Sequence, residues 1–205
     1  MSFQWIIDNS EQLSIDTQQI VGQSISRNNT VRATSRGGGI WRFTVKLPDG
    51  LSWTNYRGLI SKAEVLGRVG TGTISINASG HAWLYKYQGD SANSTGFVAS
   101  ITGGSTTITL TTSPTTSSGY KFKAGDYIQL GSTGKVYRVA ADVAYNSNSV
   151  TLNRAVEETT ATGVALRVGS NCVWTVICTE FPKWTLTERD QIAWSGPFVF
   201  YENRV

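Results

Sequence analysis

Residues 31–47 read Val31-Arg32-Ala33-Thr34-Ser35-Arg36-Gly37-Gly38-Gly39-Ile40-Trp41-Arg42-Phe43-Thr44-Val45-Lys46-Leu47, an alternation of apolar and polar side chains broken by three glycines. A period of two belongs to an extended chain with one buried face, because successive strand side chains point to opposite sides. Glycine accepts positive φ without strain, so Gly37-Gly38-Gly39 reads as the tip of a hairpin. In that hairpin Val31, Ala33 and Ser35 share the core face with Trp41, Phe43, Val45 and Leu47. Arg32, Thr34, Arg36, Arg42, Thr44 and Lys46 occupy the other face, which is therefore basic.

Working outward, Pro48-Asp49-Gly50 ends the strand, and Ser52 is placed to cap a helix from Trp53 to Leu66 that stops at Gly67. At 100° per residue Trp53, Tyr56, Leu59, Ile60, Ala63 and Leu66 form one stripe, with Arg57, Ser61 and Glu64 opposite. This is the one helix the pattern predicts. Short strands are expected over Thr73–Ile76 and His81–Tyr87. After Gln88 the chain turns rich in Gly, Ser, Thr and Asn, with strands expected over Phe97–Ile101, Thr106–Thr112, Tyr127–Leu130, Val136–Val139, Val150–Leu152 and Val164–Val168. Strands this short and this closely spaced suit a small barrel. From Asn171 the sequence returns to the aromatic character of the first segment, with Trp174, Trp184, Trp194, Phe198 and Phe200. The expected organisation is an all-β chain with one helix. Residues 1–86 with 170–205 form a β-sandwich, interrupted by a small barrel over 87–169.

Composition agrees with that class: Ser and Thr supply 47 of 205 residues and charged residues only 16%, which excludes coiled coils, helical bundles and wholesale disorder. The N-terminus, Met1-Ser2-Phe3-Gln4-Trp5-Ile6-Ile7-Asp8, lacks the basic and apolar regions of a signal peptide, and no run approaches a membrane span. Cys172 and Cys178 sit at the two ends of one predicted strand, about 20 Å apart. A disulfide needs Cα atoms within about 7 Å, so both are expected as free thiols, as in a reducing cytoplasm. Net charge is +4, and its excess lies in residues 1–86, with 9 basic against 5 acidic residues. The segment 87–169 carries 6 against 5, too balanced for the counterion release that drives oligonucleotide binding.

Catalytic and metal chemistry find little to stand on. His81 is the one histidine, so His-rich metal sites are excluded by counting, and no basic neighbour activates either cysteine. Gly131-Ser-Thr-Gly134-Lys135-Val136 lacks the first glycine and the hydroxyl of a phosphate loop. Asp126, Asp142, Glu157, Glu158, Glu188 and Asp190 carry no motif that would pair them for hydrolysis, and read as solvated loop acids. Trp41, Trp53 and Trp174 fall on predicted apolar faces, which favours core packing over sugar stacking. No enzyme, metal or cofactor is expected.

The stretches Lys123-Ala-Gly-Asp126-Tyr-Ile-Gln-Leu130, Lys135-Val-Tyr-Arg-Val139 and Val150-Thr-Leu152 are similar to the barrel insert of siphophage distal tail proteins of the coliphage type. The strand before Pro48-Asp49, the helix after it and the terminal strands resemble that family's ring-forming domain. The resemblance implies a structural virion protein. Six copies would form a ring at the tail tip, joining the tail tube protein to the baseplate hub, with DNA passing through unread and no membrane insertion. The insert, resembling an oligonucleotide-binding fold, would lie outside the ring and meet either a host surface saccharide or other tail proteins. Assembly would occur in the bacterial cytoplasm. Arg32, Arg36, Arg42 and Lys46 are the expected interface residues, facing a neighbouring subunit or the next ring. The alternatives are a non-catalytic carbohydrate-binding sandwich and another minor tail or tail-tube protein.

Overall fold

The structure, a computed structural model, describes residues 3–18, 21–25, 31–35, 39–67, 69–76, 80–89, 95–114, 118–187 and 189–203, with backbone alone for 21–25, 31–35 and Tyr85. The first elements in chain order are α1 (Gln4–Asp8), β1 (Gln12–Gln18), β2 (Val21–Ile25), β3 (Val31–Ser35), β4 (Ile40–Lys46), β5 (Leu51–Ser52), α2 (Trp53–Leu66) and β6 (Thr71–Ser75). Next come β7 (Val98–Ile101), β8 (Thr107–Thr112), β9 (Tyr120–Phe122), β10 (Tyr127–Leu130), β11 (Val136–Arg138), β12 (Val143–Ala144), β13 (Ser149–Thr151) and β14 (Ala161–Val168). The last are β15 (Val173–Glu180), β16 (Trp184–Thr187), β17 (Gln191–Trp194) and β18 (Phe198–Glu202). The described residues are thus mostly β-sheet with two short α-helices.

Two compact units divide the chain, one comprising Asn9–Thr71 and Val176–Asn203, the other Met1–Asp8 and Gly72–Thr175. In the first unit β4 is central: it pairs antiparallel with β1, Gln12↔Lys46 through Gln18↔Ile40, and with β18, Phe198↔Val45 through Tyr201↔Arg42. Trp41, Phe43, Val45 and Leu47 are buried, as the alternation requires, and Phe43 and Val45 stand opposite the buried Phe200 and Phe198. The hairpin itself differs from expectation. β3 pairs with β2, Val21↔Ser35 through Ile25↔Val31, and not with β4; of the triple glycine, Gly37 and Gly38 lie outside the described residues. The reason is competition for β4: β1 pairs with one of its edges and β18 with the other, and no edge remains for β3.

Helix α2 follows its sequence pattern residue by residue. Ser52 Oγ accepts from the Asn55 N–H at 3.4 Å, and Gly67, at φ 57°, turns its N–H back to the Glu64 carbonyl. Ile60 and Ala63 are buried, Trp53, Tyr56, Leu59 and Leu66 half-buried, and Arg57, Ser61 and Glu64 exposed. Trp53 stacks on Trp184 of β16 at 4.6 Å between ring centroids, and the Trp184 indole N–H reaches Glu64 at 3.0 Å.

The second unit carries a six-stranded sheet in the order β11-β10-β14-β7-β8-β13. Its two edge strands run into each other through the bridge Val139↔Leu152, supported by the Ala140 N–H to the Thr151 carbonyl and the Asn153 N–H to the Arg138 carbonyl. The sheet therefore curls around one core, which includes Phe97, Ile108, Phe122, Ile128, Tyr137, Val150 and Val168. Residues 81–87 are not a strand: Ala82–Tyr85 make a 3-10 turn with Trp83 71% exposed. A half-buried strand needs one apolar face turned inward, and here the adjacent Trp83 and Leu84 are both exposed. The turn Gly131–Lys135 links β10 to β11 and leads into no helix, consistent with its departure from a phosphate loop.

Two glutamines act as substitute peptide groups. The Gln4 amide donates to the Ser75 carbonyl and accepts the Ser75 N–H, both at 2.8 Å, giving the end of β6 a partner. The buried Gln129 does the same for Val173, at 2.8 and 3.0 Å, and also donates to the Gly134 carbonyl at 2.9 Å. A buried backbone group without a partner would cost about 1–3 kcal/mol, so each amide holds a strand end in place.

Candidate functional site

Of the four expected interface residues, Arg42 and Lys46 are described with their side chains. Arg36 lies outside the described residues, and Arg32 lies on β3, opposite Ser24 of β2, with only its backbone described. Arg42 and Lys46 do share the outer side of β4, and both are matched by acids, Asp16 on β1 and Glu11 just before it. Asp16 stands directly across from Arg42, with its carboxylate at 3.8 Å, and Glu11 lies 3.6 Å from the Lys46 ammonium. Arg42 also approaches the Tyr201 ring, at 6.0 Å. The long gap between acids in sequence concealed this pairing, because β1 delivers Glu11 and Asp16 from before the gap. Cross-strand pairs of this kind stabilise the sheet modestly while their exposure keeps each worth under about 1 kcal/mol.

The more developed polar chemistry lies in the second unit. Tyr137 is fully buried, yet its hydroxyl donates to Glu158 Oε2 at 2.5 Å and accepts the Glu157 N–H at 2.8 Å. Glu158 Oε1 accepts the Lys135 N–H at 2.5 Å. Over the Tyr137 ring lies the buried Arg154 guanidinium, 4.9 Å away, which donates to the Val136 carbonyl at 3.0 Å and pairs with Glu157 at 3.7 Å. Burial and the neighbouring Glu158 carboxylate both push the Tyr137 hydroxyl far above the ordinary tyrosine range. It is a structural proton donor, locked in its neutral form.

Asp126 departs from its expected solvated state. It is buried, and its carboxylate accepts the Lys123 N–H at 2.8 Å and the Gln88 N–H at 3.0 Å. Burial raises its affinity for a proton more than these two donors lower it. Lys121 is also buried and is held by the Ser147 carbonyl at 2.9 Å and Asn148 Oδ1 at 2.6 Å. Lys123 sits 3.2 Å over the Tyr120 ring and 3.4 Å from Asp142. In the first unit Asp190 accepts from Ser52 Oγ at 2.7 Å and from the Thr54 N–H at 3.0 Å, and these bonds hold its carboxyl below the usual range. Sequence reasoning missed these roles because they join side chains to partners far along the chain; the buried position of Tyr137 in its strand was the one available signal.

Both cysteines are buried free thiols, and burial pushes Cys172 well above the usual thiol range. Among the described residues no group of three or more His, Cys, Asp or Glu is gathered to hold a metal ion, and no helix is long and apolar enough to cross a membrane. The chain matches no protein-family description and no curated protein.

Proposed function

We propose that this chain is a structural subunit of a bacteriophage tail tip, similar to siphophage distal tail proteins, that assembles as a hexameric ring between the tail tube and the baseplate hub. The observation that carries the reading is organisational: one compact unit, Asn9–Thr71 with Val176–Asn203, is interrupted in sequence by the long segment Gly72–Thr175, which belongs with Met1–Asp8 to the other. In this reading the ring-forming β-sandwich is 1–86 with 170–205, and 87–169 is an inserted barrel like the oligonucleotide-binding fold. Three stretches quoted for the resemblance fall on β10, β11 and β13, in the curled sheet. The polar groups described above serve strand ends, turns and a helix cap, which suits a part whose work is to hold shape. Fold alone does not specify function, so assembly is the property to test.

Mass photometry of the purified chain, with negative-stain imaging, tests it. The expected result is a species near six times 22.3 kDa that images as six-fold rings. A strict monomer at all concentrations refutes the ring. A monomer that retains neutral glycans through the exposed Trp83 favours the second reading, a non-catalytic carbohydrate-binding module.

A further inference from the structure

Arg167 is half-buried, and among the described residues its guanidinium makes no hydrogen bond or ion pair within the chain. Four other cations drawn in from the surface are engaged: Arg42 by Asp16, Lys121 by Ser147 and Asn148, Lys123 by Asp142, Arg154 by Glu157. On β14 the flanking Leu166 and Val168 are buried in the core, so Arg167 faces the opposite side of the sheet. There it lines a cavity of about 480 Å³ with Ser75, Thr95, Ser170, Asn171, Leu166 and Val173.

Gln129, the register partner of Arg167, cannot serve it, because its amide is committed to Val173 and Gly134. The Ser75 hydroxyl, at the pocket wall, donates to Gln4 Oε1 at 3.1 Å. One guanidinium matches one oxyanion in a bidentate pair. The three hydroxyls and the Asn171 amide suit a ligand that itself carries hydroxyls. Among the described residues no aromatic ring lines the cavity, and beside Leu166 and Val173 the lining they offer is polar and cationic. The volume lies within the roughly 300–1,000 Å³ of small-molecule sites.

We propose that this pocket binds a small polyhydroxylated oxyanion, an acidic sugar unit bearing a carboxylate or a phosphate, with Arg167 holding the charged group. The site belongs to a single chain and stands whether or not six copies assemble. The test is NMR titration of the full chain at low salt with glucuronate, glucose 6-phosphate, glucose and inorganic phosphate. Glucuronate or glucose 6-phosphate should shift resonances of Ser170 and Asn171, with glucose binding at least about tenfold more weakly, the scale of one charge-assisted pair. Arg167→Gln should weaken the acidic sugar by about the same factor without changing the melting temperature, and Asn171→Asp should do so by like-charge repulsion. Glucose binding as well as the acidic sugars, either variant binding like wild type, or no acidic sugar binding at about 10 mM, weaker than ordinary small-ligand affinities, would overturn the proposal. Inorganic phosphate binding as tightly as both sugars would overturn the saccharide assignment and leave a free-anion site.

Discussion

Replacing Tyr137 by Phe isolates one hydroxyl in the curled sheet. The ring is fully buried against core residues, so it stays in place and only the oxygen is lost. That oxygen donates to the Glu158 carboxylate at 2.5 Å and accepts the Glu157 N–H at 2.8 Å. The first bond is charge-assisted, on the order of 1.5–3 kcal/mol, and the second neutral, about 1 kcal/mol. Glu158 keeps the Lys135 N–H and is partly open to solvent, which reduces the loss, and Tyr137→Phe is expected to cost about 2–3 kcal/mol. Urea denaturation measures this directly, and for a unit of about 100 residues the melting temperature should fall on the order of 10 °C. The double variant with Glu158→Gln should show coupling of about 1 kcal/mol or more between the two positions. Because the folded hydroxyl titrates above its unfolded value of about 10, its contribution is complete below that pH and is lost as pH rises further. Tyr127 and Cys172 are raised in the same direction by burial, so Tyr137→Phe should flatten the alkaline loss of stability without abolishing it. A variant within about 0.5 kcal/mol of wild type, or a strictly additive double variant, would refute the assignment of this network as a stabilising unit.

Three further outcomes follow from single contacts. Gly134→Ala would place a Cβ 1.8 Å from the Leu130 carbonyl oxygen and 2.9 Å from Glu158 Oε1, so the β10–β11 turn must open, and urea titration should show a loss above about 2 kcal/mol. Ser52→Ala removes the α2 cap and a donor to Asp190, for a cost of about 1 kcal/mol. Since Asp190 titrates below its unfolded value, its support is present above that value and fades as pH falls through the folded one, so the variant should also lose less stability on acidification. A double-mutant cycle on Arg42 and Asp16 should return under about 1 kcal/mol and shrink with added salt; a larger, salt-insensitive coupling would mean the pair is buried against something else.

Local periodicity carried far in this chain. Helix α2 was legible from cap to cap, because both ends and the stripe are set within fourteen residues of sequence. The inward residues of β4 and most strands of the curled sheet were legible for the same reason. Pairing was not: alternation says that Val31–Ser35 is a strand and is silent on whether β2 or β4 lies beside it. α1 spans five residues, too few for a helical period to show, and only its buried Trp5, Ile6 and Ile7 explain its retention. The candidate chemistry was the least visible part. Gln4 and Ser75 are 71 residues apart and Gln129 and Val173 are 44 apart, and no composition or spacing rule joins an amide to a distant backbone.

Charge changed most between sequence and fold. As a linear pattern, Arg32, Arg36, Arg42 and Lys46 form an uncompensated basic run; in three dimensions β1 returns Glu11 and Asp16 to the side of β4 that carries Lys46 and Arg42. Two charges of opposite sign a few ångströms apart present little net field beyond a Debye length of about 10 Å. A subunit contact across this part of β4 would therefore gain little steering from it, and ring assembly that used it should depend weakly on salt. Reversing Arg42 to Glu would then act within the chain, by setting a carboxylate against Asp16, before it acts on any neighbour. A steep loss of hexamer between about 50 and 200 mM salt, the range that separates exposed from paired charges, would instead require a basic contact other than Arg42 and Lys46.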